Sequence, residues 1–288
     1  MPGEARDALL QLRGVNQQEQ VDMELKEMME EAAAEKEPEM SIPELIGSSK
    51  LRLPLIICIF MHLSQQLSGM VAIFYYSISF FTRCNIIPSS TKMIILCLSA
   101  GIGEQEAQYA NLGVGAIMVS MTLVTIPLMD RLGRRVLHLG GLGGMCAMAI
   151  LIVIAQNMEN AGGVLIAATL VFVVFFALGP GSIPWMIAGE MFTQGPRPAA
   201  SALVVFINWA ANLAVSLLFP LVLIPELQEF TFLPFAIFIA VFFIFIFLYL
   251  PETKGRTVGE TTALLQVPSI DYLSIVVPSY VLCTFTRC

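Results

Sequence analysis

The stretch Leu53–Phe81, LPLIICIFMHLSQQLSGMVAIFYYSISFF, is apolar or aromatic almost throughout. Similar runs follow at Leu112–Met129, Val136–Ala155, Gly163–Ala188, Ser201–Ile224 and Phe232–Leu250, with short polar breaks between them. Each approaches the roughly 20 apolar residues that a helix needs to cross a hydrocarbon core. The runs are apolar on all sides, unlike the one-sided helices of a soluble surface. They lack the strict alternation of barrel strands. The pattern therefore predicts an all-α membrane protein with six transmembrane helices. Residues 1–50 precede them and are polar, without the basic flank and apolar core of a signal peptide. VDMELKEMMEEAAAEKEPEM within that segment holds good helix formers and ends near Pro38, which predicts a solvated acidic helix.

Composition agrees with a membrane chain. Hydrophobic residues make up 57% and charged residues 13%, against about 25% charged in soluble domains. Charge is unevenly placed: residues 1–50 carry twelve acids and five bases, and the remainder carries ten of each. Basic residues cluster at alternate span ends: Lys50 and Arg52, then Arg131, Arg134 and Arg135, then Arg197, then Lys254 and Arg256. The opposite ends have Arg83 and Lys92. The positive-inside rule then predicts that both termini are cytoplasmic. Cys58 and Cys146 fall inside spans and read as small apolar residues. Cys84 and Cys97 flank an outside loop, with pairing left open, and Cys283 and Cys288 lie in the tail. No spacing suggests a metal or other cofactor, a catalytic constellation or a nucleic-acid-binding patch, so no enzyme is expected.

The polar residues inside the spans carry the candidate chemistry. An amide left unpaired in hydrocarbon costs about 2–7 kcal/mol, so such groups face another helix or a wet cavity. His62, Gln65 or Gln66, Gly69, Ala72 and Tyr76 recur at helical spacing on the first span, and Asn208 and Asn212 do so on the fifth. The fourth span contains GPGSIPW, Gly179–Trp185, whose prolines and glycines interrupt the hydrogen-bond ladder. Interrupted helices at membrane depth are tolerated where they line a cavity. Interhelical glue, a simple kink and plain packing of Trp185 are the alternative uses of these features. Taken together, amides on two spans and an indole near a broken helix suit an uncharged, hydroxyl-rich ligand, because amides both donate and accept. The spans hold no buried acid pair for a proton or cation, which favours passive movement.

QQLSG followed by FYYS, then DRLGRR, GPGSIPW, GEMFTQGPRPAA, NWAAN and PETKGRT, occur in that order. This set closely resembles the second half of the facilitative glucose transporters, solute carrier family 2 of the sugar porters in the major facilitator superfamily. The resemblance covers about residues 1–82 and 100–258. It implies one half of a major facilitator fold and facilitative uniport of a hexose such as glucose by alternating access. It implies substrate-binding roles for Gln65, Gln66, Trp185, Asn208 and Asn212. It implies an extracellular gate at Tyr75 and Tyr76, and a cytoplasmic salt-bridge network of Arg131, Arg134, Arg135, Glu190 and Glu252. The chain departs from the family pattern at Val71, Met118 and Ala177, where polar residues are usual. It also departs at Ser182, in place of a proline, and at His62-Leu63-Ser64, in place of the glucose-type triplet.

The resulting expectation is a cytoplasmic acidic helical segment over 1–50, a six-helix bundle over 51–258 with an insertion at 82–99, and an atypical cytoplasmic tail over 259–288. The expected partners are a hexose, the lipid bilayer (the plasma membrane) and a facing bundle. That bundle is the absent N-terminal half, a second copy or a full-length transporter. A short isoform regulating a full-length transporter and a sugar-binding membrane sensor are the alternative readings.

Overall fold

The computed structural model describes residues 2–13, 21–23, 25–26, 38–74, 104–158, 161–227 and 230–265. Every regular element among them is helical. α1 is Pro2–Arg13 and α2 is Ile42–Gly47. α3, Arg52–Gln66, turns at residues 67–69 and resumes as helix to Phe74. α4 is Glu104–Leu132 and α5 is Arg134–Gln156. The fourth run divides into α6, Gly162–Leu178, and α7, Ile183–Met191. α8, Arg197–Leu218, passes through a π-helical turn, Phe219–Leu223, into α9, Ile224–Leu227. α10 is Leu233–Tyr249 and α11 is Val258–Leu265.

Among the described residues, five helical stretches are long and apolar enough to cross a membrane: Arg52–Phe74, Leu112–Leu132, Arg134–Gln156, Gly163–Met191 and Arg197–Leu227. The sixth predicted run forms α10, an apolar helix of 17 residues, about 25 Å long at the α-helical rise. The first run ends in the description at Phe74, so Tyr75, Tyr76 and the predicted insertion at 82–99 lie outside the described residues. The same holds for most of the predicted acidic helix before Pro38 and for the tail beyond Leu265.

Most of each span's surface is apolar, so hydrophobicity alone cannot choose which face packs. Small residues do, because they let backbones approach. At the junction of α6 and α7, a Cβ on Gly179 would lie 2.5 Å from the Leu137 carbonyl oxygen and 2.8 Å from His138 Cα. Both are backbone atoms of α5, so no rotamer change makes room. Gly179→Ala is therefore expected to push α5 from the α6–α7 turn and destabilise the bundle by about 2 kcal/mol, within the range for overpacking. A thermal denaturation series in detergent checks this. The seam continues through α10, where Cys146 Sγ lies 3.7 Å from the Ala236 carbonyl oxygen.

α3 is the central helix, with contacts to α7, α8 and α10. Ile57, Cys58, Met61 and His62 on it are fully or almost fully buried. Phe60 stacks on Phe245 of α10 with ring centroids 3.9 Å apart. α4 rests mainly on α6, and it exposes Leu112, Val119, Leu123 and Ile126. Such a surface is ordinary against lipid, where exposed apolar side chains cost nothing.

Two short helices brace one end of the bundle. α2 begins at a capping box: the Glu44 carboxylate accepts from the Ser41 hydroxyl at 2.6 Å and the Ser41 N–H at 2.8 Å. The Met40 N–H donates to the Gly195 carbonyl just before α8, and Leu45 is fully buried. Hydrogen bonds from the Ser41 side chain, then from its backbone, hold the Glu44 carboxyl below its ordinary value. A lowered carboxyl stabilises the folded state above the ordinary glutamate range, and that contribution is lost as pH falls through the lowered value. Amide exchange at Leu45 is accordingly expected to be faster at pH about 3 than at pH about 6 once the intrinsic rate is corrected, with the difference removed in Glu44→Gln. At the other end of the chain, α11 begins at a second box between Thr257 and Glu260. It docks on α7 through the Thr262 hydroxyl and the Met191 carbonyl, 3.3 Å apart.

Candidate functional site

The packing of α3 on α8 joins the two polar stripes into one network. His62, Gln65 and Gln66 occupy the last turn and a half of α3, and Asn208 and Asn212 lie one turn apart on α8. Asn212 Nδ2 donates to Gln66 Oε1 at 3.1 Å. Gln66 Nε2 donates to Asn208 Oδ1 at 2.7 Å. Asn208 Nδ2 donates to Gln65 Oε1 at 2.8 Å, with His62 Nδ1 3.0 Å away. Asn208 is 0% exposed, Gln65 6% and Gln66 8%, whereas Asn212 is half-buried. The network thus runs from a closed interior to an open rim.

The break between α6 and α7 supplies a further partner. Gly179–Ser182 forms a turn, with the Gly181 N–H reaching back to the Phe176 carbonyl at 2.8 Å. Pro184, at the first turn of α7, has no N–H to offer. The Gly181 carbonyl accepts from Gln65 Nε2 at 2.9 Å. One residue past Pro184, Trp185 stands with its ring edge-on to His62, centroids 5.3 Å apart at 89°. It remains 47% exposed. Gln65, Gln66, Trp185, Asn208 and Asn212 are therefore adjacent, and His62 joins them. The sequence pattern had placed His62 on the stripe without a role. Its signal was its spacing of three residues from Gln65.

A second polar contact lies behind this cluster. The Ser64 hydroxyl donates to the Met61 carbonyl at 2.7 Å and lies 3.3 Å from His138 Nε2 on α5. With its proton committed, Ser64 can only accept there, so His138 carries its proton on Nε2. His138 Nδ1 is buried without a hydrogen-bond partner. No periodicity in the sequence pairs these two residues, because they meet only through the α3–α5 crossing.

The charged residues gather where α4, α5, α7 and the segment after α10 meet. Gly133 starts α5 with φ 91° and ψ 163°, a region essentially restricted to glycine. The Glu252 carboxylate sits across that N-terminus. It accepts from the Arg134 N–H at 2.9 Å and the Arg135 N–H at 3.2 Å. Two backbone donors that have no partner within the helix are thereby satisfied, and a negative charge stands at the positive end of the helix. Arg134 Nε donates to Glu190 Oε1 of α7 at 2.9 Å, while the Thr253 hydroxyl donates to Glu190 Oε2 at 2.6 Å. Arg135 donates to the Phe247 carbonyl at 2.6 Å and lies over the Phe247 ring. Arg131 enters through its carbonyl, which accepts from Lys254 Nζ at 2.6 Å. Its side chain is exposed, without a hydrogen bond or ion pair among the described residues. Asp130, 3.8 Å from Arg134 and 75% exposed, adds a weak surface pair. Thr253 and Lys254 were not anticipated, although both lie inside PETKGRT.

Among the described residues no group of three or more His, Cys, Asp or Glu side chains could hold a metal ion. An all-helical bundle with a buried amide seam and a charged cluster at one edge defines a polytopic helical membrane protein. The chain belongs to the sugar (and other) transporter family, whose model matches residues 2–265. The facilitated glucose transporter member 4 of solute carrier family 2 from Mus musculus is 42% identical over 267 residues, covering 91% of this chain and 48% of that protein. Member 3 from Oryctolagus cuniculus is 40% identical over 264 residues, covering 90% and 49%. The chain thus spans about half the length of the curated relatives it matches. In fold it is similar to the major facilitator superfamily proton:xylose symporter XylE bound to 6-bromo-6-deoxy-D-glucose. That structure has a TM-score of 0.67 and 23% identity over 90% of this chain and 51% of that one. The inward-open xylose transporter XylE from E. coli gives a TM-score of 0.61 at 22% identity, with 91% and 49% covered. The architecture is that of one half of a major facilitator fold.

Proposed function

We propose that the chain provides the C-terminal half of a facilitative hexose transporter, working by alternating access against a second six-helix bundle. The observation that carries the proposal is the convergence of Gln65, Gln66, Asn208, Asn212 and His62 in one network opening toward Trp185. Amides on a half-open rim exchange hydrogen bonds with hydroxyl groups at little net cost, and an exposed indole offers a face to the C–H side of a pyranose. The names of the solute carrier relatives support a sugar as the ligand. Glucose is the first candidate among hexoses.

The ion pair of Arg134 with Glu190 and the Glu252 cap on α5 would hold the cytoplasmic side together in one state and part in the other, as charge pairs at moving interfaces do. Tyr75 and Tyr76 would close the opposite side. The bundle over 51–258 would lie in the plasma membrane with both termini cytoplasmic. The acidic segment over 1–50 and the tail over 259–288 would face the cytosol, and residues 82–99 would form an inserted outside loop. A lone bundle leaves the rim of the network without a facing helix. The partner is therefore a complementary half, a second copy or a full-length transporter.

Uptake of labelled D-glucose by proteoliposomes tests the reading, with the chain reconstituted alone and with a complementary N-terminal bundle. Saturable uptake of D- over L-glucose with the complement, lost in Gln65→Ala, is expected. Folded protein that gives no uptake in either arrangement would overturn it.

A further inference from the structure

Hydrogen-bond direction in the amide network is not free. Gly181 presents a carbonyl, which can only accept, so Gln65 must turn its Nε2 toward it. Gln65 Oε1 then faces Asn208 and takes one of its two N–H groups. The second Asn208 N–H points at His62 Nδ1, 3.0 Å away. An NH2 group can only donate, so His62 Nδ1 must be a bare acceptor and the ring proton must sit on Nε2. Asn208 Oδ1 is left to accept from Gln66, and Gln66 Oε1 to accept from Asn212. Every amide from the rim inward donates in the same direction, and the series ends on two acceptors, one backbone and one imidazole.

The consequence appears in the groups left over. Among the described residues, the second N–H of Gln65, of Gln66 and of Asn212 is uncommitted, while the oxygens of Gln65, Gln66 and Asn208 are each engaged and the Asn212 oxygen alone is left to accept. The cluster is thereby biased to donate to a ligand oxygen. The same imidazole meets the Trp185 ring at 89°, so one side chain both takes the last N–H of the amide series and sets the attitude of the indole. A carboxamide or an apolar residue at this position would not combine the two.

We propose that His62 is a positioning residue of the ligand site, which holds the Asn208 amide in the direction set from the Gly181 carbonyl by accepting its second N–H at Nδ1, and which orients Trp185 through the perpendicular contact of the two rings. The proposal rests on the sugar-binding reading above for its ligand, though not for its geometry. The chain has two tryptophans, so Trp209→Phe leaves Trp185 as sole reporter in the full chain in lipid nanodiscs. In that background D-glucose is titrated against L-glucose while Trp185 emission is followed. His62→Phe keeps a ring edge and removes the acceptor, whereas His62→Asn keeps an acceptor at the δ position and removes the ring.

His62→Phe is expected to weaken the D-glucose response about tenfold, the effect of stranding one buried donor. His62→Asn is expected to hold affinity within about threefold while shifting Trp185 emission. A His62→Phe chain that titrates like its parent overturns the proposal, as does a His62→Asn chain that loses as much as His62→Phe. If the parent shows no response to D-glucose, the sugar-binding reading fails on its own. The positioning role is then decided by 15N-histidine spectra of the same chain. A bare Nδ1 and protonated Nε2 on the signal missing from His62→Asn supports it, and a protonated Nδ1 overturns it. These spectra also decide the case should His62→Phe fail to fold.

Discussion

Replacing Gly133 with alanine is expected to destabilise the bundle by about 3 kcal/mol, from strain in a glycine-only backbone region and loss of the α5 cap together. Gly133 has φ 91° and ψ 163°, which a residue with a Cβ reaches only under strain. A Cβ there would also fall 2.5 Å from Glu252 Oε2, so the carboxylate must shift. Its hydrogen bonds from the Arg134 and Arg135 N–H groups would then lengthen or break. Glu252→Ala removes the cap alone and is expected to cost about 1–2 kcal/mol, the usual worth of an N-terminal acceptor reinforced by the helix dipole. The double substitution relieves the clash and leaves the backbone strain, so its effect should fall short of the two single effects summed. Thermal unfolding of the four proteins in one detergent measures this. Equal melting temperatures for Gly133→Ala and the parent would show that α5 does not need this cap.

The second large effect is expected at Asn208. Asn208→Leu strands Gln65 Oε1, Gln66 Nε2 and His62 Nδ1 together, because Asn208 is partner to all three. A stranded buried polar group costs about 1–3 kcal/mol. Re-pairing within the bilayer lowers the sum, as measured hydrogen bonds between membrane helices average about 0.6 kcal/mol. A net loss of about 2–3 kcal/mol is expected on these grounds, together with loss of hexose binding. Asn212→Leu, at the half-buried rim, strands one acceptor and should cost under about 1 kcal/mol. Trp185→Ala should leave stability nearly unchanged, since the ring is 47% exposed, while weakening binding. Melting curves read beside D-glucose titrations separate these cases. A site that merely glues α3 to α8 would show binding and stability falling together in all three variants.

Glu252 shows how far sequence motifs reach. PETKGRT and DRLGRR placed the charged residues of the cluster, and Glu190 came with GEMFTQGPRPAA. Pairing of Arg134 with Glu190 is the kind of contact a charge pattern suggests. Glu252 instead spends its oxygens on backbone N–H groups of α5. That choice depends on the angle at which α10 delivers the chain to the start of α5, which no local pattern encodes. Arg131, equal to its neighbours in charge, meets the cluster through a carbonyl because its side chain points out of the turn.

The sequence by itself determined the membrane class, the apolar runs and the polar residues set within them. Those properties are local. A run of apolar residues must be helical in lipid to satisfy its backbone, and an amide within it must find a polar partner. The tertiary structure decided which partner each amide found. Because most of each span's surface is apolar, close backbone approaches such as Gly179 against Leu137 and His138 help to select how the helices pair. Such contacts belong to pairs of helices, not to one run. The packing of α3 on α8 and on the α6–α7 break decides the meeting of Gln66 with Asn208, the capture of the Gly181 carbonyl by Gln65, and the seat of His62 between an amide and an indole.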